Sequence, residues 1–425
     1  MKRKERHPSE MYWLSLTEAC QRFTYWGIGN LLVLFLVKHF AYDPRRAGHL
    51  FGIYTGMAFL LPAVGGRIAD KWNYHMPILI GMIFTAVGAL MLATLSKVLI
   101  MPALLCVACG GGLFTPSVYS LLGTFYEGRH ELREGGFSLY YSTVNIGVLV
   151  AMIVLGYLQT KNWCLVFITA AAVQLLGILP YGCAVKRFKE KRPSRAPRAE
   201  RATFTVHERS RVVVIVVMTV VSALFWMAYN QAGSSMTLFT LRYTDRHVGG
   251  FEVPTPWFIA FGTLFLMILA YPLSRLYVFL RRIGSGMSPV MKTSLSLFCM
   301  GFCFLVMQRA ATYVPAGAES AVLSPYYLIF AFAFMALAEL LLAPISLSFV
   351  TRISPDRYRG LFTGIWFMCI GVGFWFGGYV SGWIVRIRWD RFFSIFLFTS
   401  FIPAVFLLVF EGVMEKMSGL ARNNR

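Results

Sequence analysis

Glu18 and Arg22 stand four residues apart in an apolar stretch running from about Leu14 to Phe40. A helix of that length crosses a bilayer. The i,i+4 spacing puts carboxylate and guanidinium on one helix face, and Tyr25 and Trp26 extend that face by a turn. Each charge costs on the order of a few kcal/mol in hydrocarbon, so both are expected to face protein or water. Such a stripe suits a polar pathway or a charged ligand. The competing reading is a structural ion pair that locks the first helix to a neighbour. Glu339 is the other carboxylate well inside an apolar span, and no cation lies close to it in sequence. A proton, if one is carried, is expected to use Glu18 and Glu339, with Glu18 held ionised by Arg22 and Glu339 free to take the proton up. No His, Asp or Cys cluster has catalytic or metal-ligand spacing, so neither an enzyme nor a metal or cofactor site is expected.

The elements that must position these residues are membrane helices. Of 425 residues, 57% are hydrophobic, 16% aromatic and only 14% charged, and the mean hydropathy is +0.62. A soluble chain carries about 25% charged residues. The net charge of +21 does not point to nucleic acid, because the basic residues sit in short loops between apolar spans, as the positive-inside rule describes. The eight cysteines fall mostly within spans and read as small apolar residues. Cys106 and Cys109 have redox spacing but no neighbouring strand. No cleavable signal precedes the first span, which is expected to be retained.

Hydropathy predicts twelve spans, near 13–40, 46–69, 76–96, 98–125, 135–158 and 163–185, then 211–242, 255–281, 288–309, 324–351, 357–386 and 390–414. The organisation predicted is a six-helix half over 1–185, a linker over 186–211, and a second six-helix half over 212–425. The linker holds ten Lys or Arg and two Pro, cannot bury a core, and is expected to be cytoplasmic and mobile. Loops on its side carry Lys71, Arg129, Arg133, Arg281, Arg282, Lys292, Arg357 and Arg359, which places both termini in the cytoplasm. Arg45, Arg46, Arg242 and Arg246 are exceptions on the opposite side. Gly136, Ile146, Gly147 and Val148 recur as Gly360, Ile370, Gly371 and Val372 at one offset, and Leu113–Pro116 matches Leu341–Pro344 at a slightly different one. Related halves with matching Pro and Gly suggest a parallel-repeat transporter whose site lies between them.

The motifs extend this reading. Glu18 to Trp26 resembles the Glu-x-x-Glu-Arg-Phe-x-Tyr-Tyr signature of the proton-dependent oligopeptide transporters, a branch of the major facilitator superfamily. Gly65–Asp70 is similar to the end of that family's second helix, and Gly136–Tyr141 with Asn145–Gly147 to its fifth. Phe225-Trp226 with Gln231–Ser235, Pro256–Phe258, Glu339-Leu340 with Pro344, and Trp366-Phe367 resemble helices seven, eight, ten and eleven, in order along nearly the whole chain. The resemblance implies an all-α protein of the major facilitator fold with twelve helices in two six-helix halves. It would be a monomer in the inner membrane that imports di- or tripeptides with protons. Arg22 would contact the peptide carboxylate, Glu339 its amino group and Asn145 its backbone. Tyr25, Trp26, Tyr54, Tyr141, Trp226, Gln231, Trp257 and Trp366 would line the binding site; a zwitterion does need one fixed cation and one fixed anion. For the aromatics, interfacial anchoring or helix packing is the alternative. Asp70 is read as a gating or helix-terminus residue. The 186–211 linker leaves no room for the two extra helices that bacterial members often carry there.

This chain departs from the pattern at Gln21 and Trp26, at Thr115 where the family has Lys, at Asn230 for Glu, and at Gly262 for Asn. Loss of one partner of a buried pair costs roughly 3–5 kcal/mol, whereas loss of both can be nearly neutral. Gln21 and Thr115 together therefore read as a rewired coupling site. Other readings are exchange or uniport of another small solute, such as an amino acid or drug-like molecule, and a non-transporting receptor.

Overall fold

The computed structural model describes all residues except 1–6, 72, 127–129, 186–204, 284–285, 316, 319, 356–357 and 420–425. Most of the basic linker, with its predicted mobility, thus lies outside the described residues. Helices dominate because a chain in hydrocarbon must satisfy every backbone N–H and C=O within its own segment. Among the described residues eleven segments are long and apolar enough to cross a membrane. α1 (Ser9–Lys38) is not among them by hydropathy, but its 30 residues, about 45 Å long, have the length of a span, with Glu18, Gln21 and Arg22 near its middle. Then come α2 (Pro44–Lys71), α3 (His75–Ala93), α4 (Ile100–Phe125) and α5 (His130–Leu158). The sixth span is two helices, α6 (Trp163–Leu176) and α7 (Ile178–Val185), joined at Gly177.

The seventh span is also interrupted. α8 (Val206–Tyr229) gives way to a 3-10 turn, Asn230–Gly233, before α9 (Ser235–Tyr243). Polar side chains take up the backbone groups freed by the break. Ser234 Oγ donates to the Asn230 carbonyl at 3.1 Å and Gln231 Nε2 to that of Met227 at 3.2 Å; the same Gln231 amide also reaches across to the Gly377 carbonyl at 3.0 Å. α8 begins earlier than hydropathy predicts because Thr205 and Glu208 form a reciprocal capping box. After α10 (Pro256–Arg282), α11 (Pro289–Thr312), α12 (Tyr326–Ile353), α13 (Arg359–Ser381) and α14 (Trp389–Val409), a separate amphipathic helix, α15 (Glu411–Ser418), follows. The last span thus stops short of residue 414. Ser288 Oγ holds α15 by donating to Glu411 Oε1 at 2.5 Å.

Contacts divide the chain into two compact units, one of Met1–Tyr42 and Met57–Ala196, the other of Asp43–Gly56 and Pro197–Arg425. In the first, α1 packs against α3, α4, α5, α6 and α7. Leu31 to Leu36 are all buried, six consecutive residues that cover every side of the helix. α5 lies close on α1 at Gly147, where a Cβ would sit 2.5 Å from the Ala19 carbonyl oxygen. In the second unit α11 packs on α12 and α14, and α8 on α13. Its seam repeats the device: a Cβ on Gly373 would run into the Ala223 carbonyl.

Two loop arginines that hydropathy left as exceptions have local explanations. Arg246 staples a hairpin, β1 (His247–Val248) to β2 (Phe251–Glu252), by pairing with Glu252 at 2.6 Å and donating to the Val253 carbonyl. Gly249 and Gly250 make its turn with φ of 55° and 82°. Arg242 lines a cavity of about 640 Å³ with Arg386 and Arg388. All eight cysteines are free thiols.

Candidate functional site

Each unit carries one polar centre. In the first unit, helix geometry alone brings Arg22 Nε to Glu18 Oε1, 2.7 Å away. Glu18 is fully buried, while the Arg22 side chain keeps 13% of its surface exposed. The guanidinium uses one nitrogen on Glu18; among the described residues its Nη2 has only a long contact, 3.5 Å, with the Thr115 hydroxyl of α4. Tyr119, one turn beyond Thr115, and Tyr140 of α5 are its other electrostatic neighbours. Their rings meet edge to face with centroids 5.5 Å apart. Neither tyrosine was singled out by sequence reasoning, although the i,i+4 step from Thr115 to Tyr119 was visible.

Gln21 turns away from this pair. Its Nε2 donates to Thr85 Oγ1 of α3 at 3.2 Å, and its Oε1 accepts from Gln174 Nε2 of α6 at 2.6 Å. Thr85 in turn donates to the Gly81 carbonyl. The three side chains are fully or almost fully buried and make a neutral network inside the bundle.

In the second unit Glu339 of α12 lies near α8, where Tyr229 offers its hydroxyl as a hydrogen-bond donor. Among the described residues Glu339 has no ion-pair partner. Trp226 stacks on Phe374 with centroids 5.4 Å apart and meets Tyr229 edge on at 5.1 Å. Trp366 is buried, and its indole N–H has no acceptor among the described residues. Asn230 donates to the Phe374 carbonyl at 2.7 Å and lies 3.4 Å from Thr55 Oγ1. A side chain at Gly262 would press on Phe332, 3.3 Å from where its Cβ would be.

The remaining candidates scatter. Tyr25 is buried with its ring over Gly111, and half-buried Trp26 meets it edge on. Asn145 donates its amide to the Tyr141 carbonyl one turn earlier at 2.9 Å. Tyr141 is 42% exposed, whereas its neighbour Tyr140 is 1% exposed. Tyr54 is fully buried in the first part of α2. Trp257 sits in the first turn of α10, against Phe251 of the hairpin. Gln231 spends its amide on the Met227 carbonyl of α8 and the Gly377 carbonyl of α13, also accepting from Ser235 at 2.8 Å. The Asp70 side chain lies outside the described residues. Among the described residues no three His, Cys, Asp or Glu could hold a metal.

A sequence model described as the POT family matches residues 76–206 and 201–396. The peptide transporter YePEPT of Yersinia enterocolitica is 28% identical over 92% of this chain and 90% of its own length. Dipeptide and tripeptide permease B of Salmonella typhimurium is 23% identical over 88% of this chain and 86% of its own. Among solved structures, a peptide transporter POT in complex with sulfate superposes with a TM-score of 0.89 at 20% identity, covering 97% of this chain and 96% of that one. That likeness shows the fold, the major facilitator arrangement of twelve membrane helices in two six-helix halves. The relatives are named as transporters and not as enzymes.

Proposed function

Because the chain belongs to the POT family, we propose that it is a secondary transporter that imports di- or tripeptides, or a peptide-like zwitterion, across the inner membrane by alternating access coupled to protons. The observation that carries this reading is the Glu18–Arg22 pair. One carboxylate oxygen satisfies Nε, and among the described residues the terminal nitrogens have only the long Thr115 contact, which leaves the fork to a ligand carboxylate. Glu339, an acid without a cation, is the partner for the ligand's amino group, and Trp226 and Trp366 offer it apolar surface. The names of the relatives, a peptide transporter and a di- and tripeptide permease, support the substrate class. Both termini and the 186–211 linker are cytoplasmic in this reading; a cysteine at position 194 should resist an impermeant label applied to intact cells.

Proton coupling falls to Glu339. An arriving ammonium displaces the proton from that carboxylate, which links the two events without a cation at Thr115. The test is uptake of labelled di- and tripeptides into proteoliposomes with an imposed proton gradient. Accumulation is expected in the wild type and not in Glu339→Gln, and amidating the peptide carboxylate should abolish it. Uptake of doubly blocked peptides at the full rate would sink the assignment. Exchange or uniport of the same ligands is the second reading, favoured by Gln21: where the family has an acid, this chain has a neutral network sealed in the bundle. Equilibration without accumulation in the wild type would select it.

A further inference from the structure

Glu18 accepts from Arg22 through Oε1 only. Its Oε2 is buried with no hydrogen bond of ordinary geometry among the described residues, and the Tyr140 hydroxyl is in the same condition, although the phenol is close enough to Glu18 to act on it as a hydrogen-bond donor. The two groups are neighbours, one on α1 and the other on α5, and the same tyrosine also faces Arg22. A buried acceptor and a buried donor that face each other at the margin of hydrogen-bonding range can close that bond fully in a second state.

That second state follows from the chemistry of the pair. At rest Arg22 neutralises Glu18. When a ligand carboxylate draws the guanidinium away, Glu18 becomes a lone anion in a fully buried position. α4 supplies no replacement cation, since the residue that reaches Arg22 from it is the neutral Thr115. The donor at hand is the phenol of Tyr140, held in place by the edge-on ring of Tyr119. A carboxylate turns easily about its last torsion, and an O–H donor to an anion makes a short bond about twice as strong as a neutral one.

We propose that Tyr140 is a positioning residue for ligand capture: when the ligand takes Arg22, the Tyr140 hydroxyl donates to Glu18 Oε2 and stabilises the charge that Arg22 leaves behind. The inference rests on the reading that Arg22 receives the ligand carboxylate. By making Arg22 cheaper to release, Tyr140 raises affinity for free carboxylates without touching the ligand.

The test is equilibrium binding of labelled Ala-Ala to the purified protein in proteoliposomes, with Ala-Ala-amide as competitor. Wild type, Arg22→Ala, Tyr140→Phe, Thr115→Lys and the Tyr140→Phe/Thr115→Lys double variant are compared. Tyr140→Phe should weaken Ala-Ala about tenfold or more, the worth of a hydrogen bond to a charged group, and leave the amide unchanged. In the Thr115→Lys background the ammonium takes over, and Tyr140→Phe should then cost less than about threefold. A packing role would weaken both ligands alike and would persist beside the lysine; that result overturns the inference, as does Tyr140→Phe binding like wild type while Arg22→Ala does not. A wild type that ignores Ala-Ala, or an Arg22→Ala variant that binds it normally, removes the trigger and overturns the carboxylate reading together with this one.

Discussion

In the first unit the buried acid, Glu18, has its cation one turn away on the same helix; in the second, Glu339 faces a tyrosine hydroxyl and no cation among the described residues. The surrounding frames are alike. Each unit seats a central helix against a partner helix through a glycine lying on an alanine carbonyl, Gly147 on Ala19 and Gly373 on Ala223. What differs is where neutralisation comes from. Glu18 is neutralised within the protein and stays so until something competes for Arg22. Glu339 has no cation beside it among the described residues, and in the proposed mechanism its positive charge comes as a proton or a ligand ammonium. Like frames thus hold one acid with a cation and one without among the described residues, an asymmetry that the proposed alternating-access carrier of zwitterions would use.

The contrast breaks most sharply at Arg22. Arg22→Ala leaves Glu18 buried and uncompensated, a cost of about 3–5 kcal/mol. Uptake should vanish and thermal unfolding in detergent should come well below wild type. Adding Glu18→Gln should restore most of the stability and none of the uptake. If Arg22→Ala alone is as stable as wild type, the pair is not the closed centre described above.

Glu339→Gln should behave in the opposite way. It removes a charge with no internal partner, so stability should hold or rise while uptake falls by about ten- to a hundredfold, the worth of one ionic contact. Equal destabilisation by Glu339→Gln and Arg22→Ala would erase the distinction between the centres.

Gly147→Ala and Gly373→Ala probe the shared frame. Each puts a methyl against a carbonyl and should cost about 1–3 kcal/mol, with similar drops in melting temperature. A loss confined to one of them would show that the seams are not equivalent.

Gln21→Ala should be milder, about 1–2 kcal/mol in stability, because Gln174 and Thr85 each lose a buried partner. The KM for peptide should stay near wild type. A large change in KM would return Gln21 to the binding site. The smallest effect is expected at Thr115→Val, where the contact with Arg22 is 3.5 Å long; the change in KM should stay within about fivefold.

Sequence alone determined whatever depends on neighbours along one helix. The membrane spans follow from apolar length, the Glu18–Arg22 pair from a four-residue step, and family membership from motifs in order along nearly the whole chain. The capping box that starts α8 was equally legible in Thr205 and Glu208, although hydropathy placed that start later. Tertiary structure decided whatever depends on how helices meet. Gln21 finds Thr85 and Gln174 at separations of 64 and 153 residues, and no periodicity encodes that. Tyr140 and Tyr141 are adjacent and chemically identical, yet α5 turns by about 100° between them, so one is buried beside Glu18 and the other exposed. That choice depends on the rotation of α5, which is set where its backbone closes on α1 at Gly147. A helix carries its own hydrogen bonds, so its existence is written locally; its rotation against a neighbour is settled only when two surfaces pack.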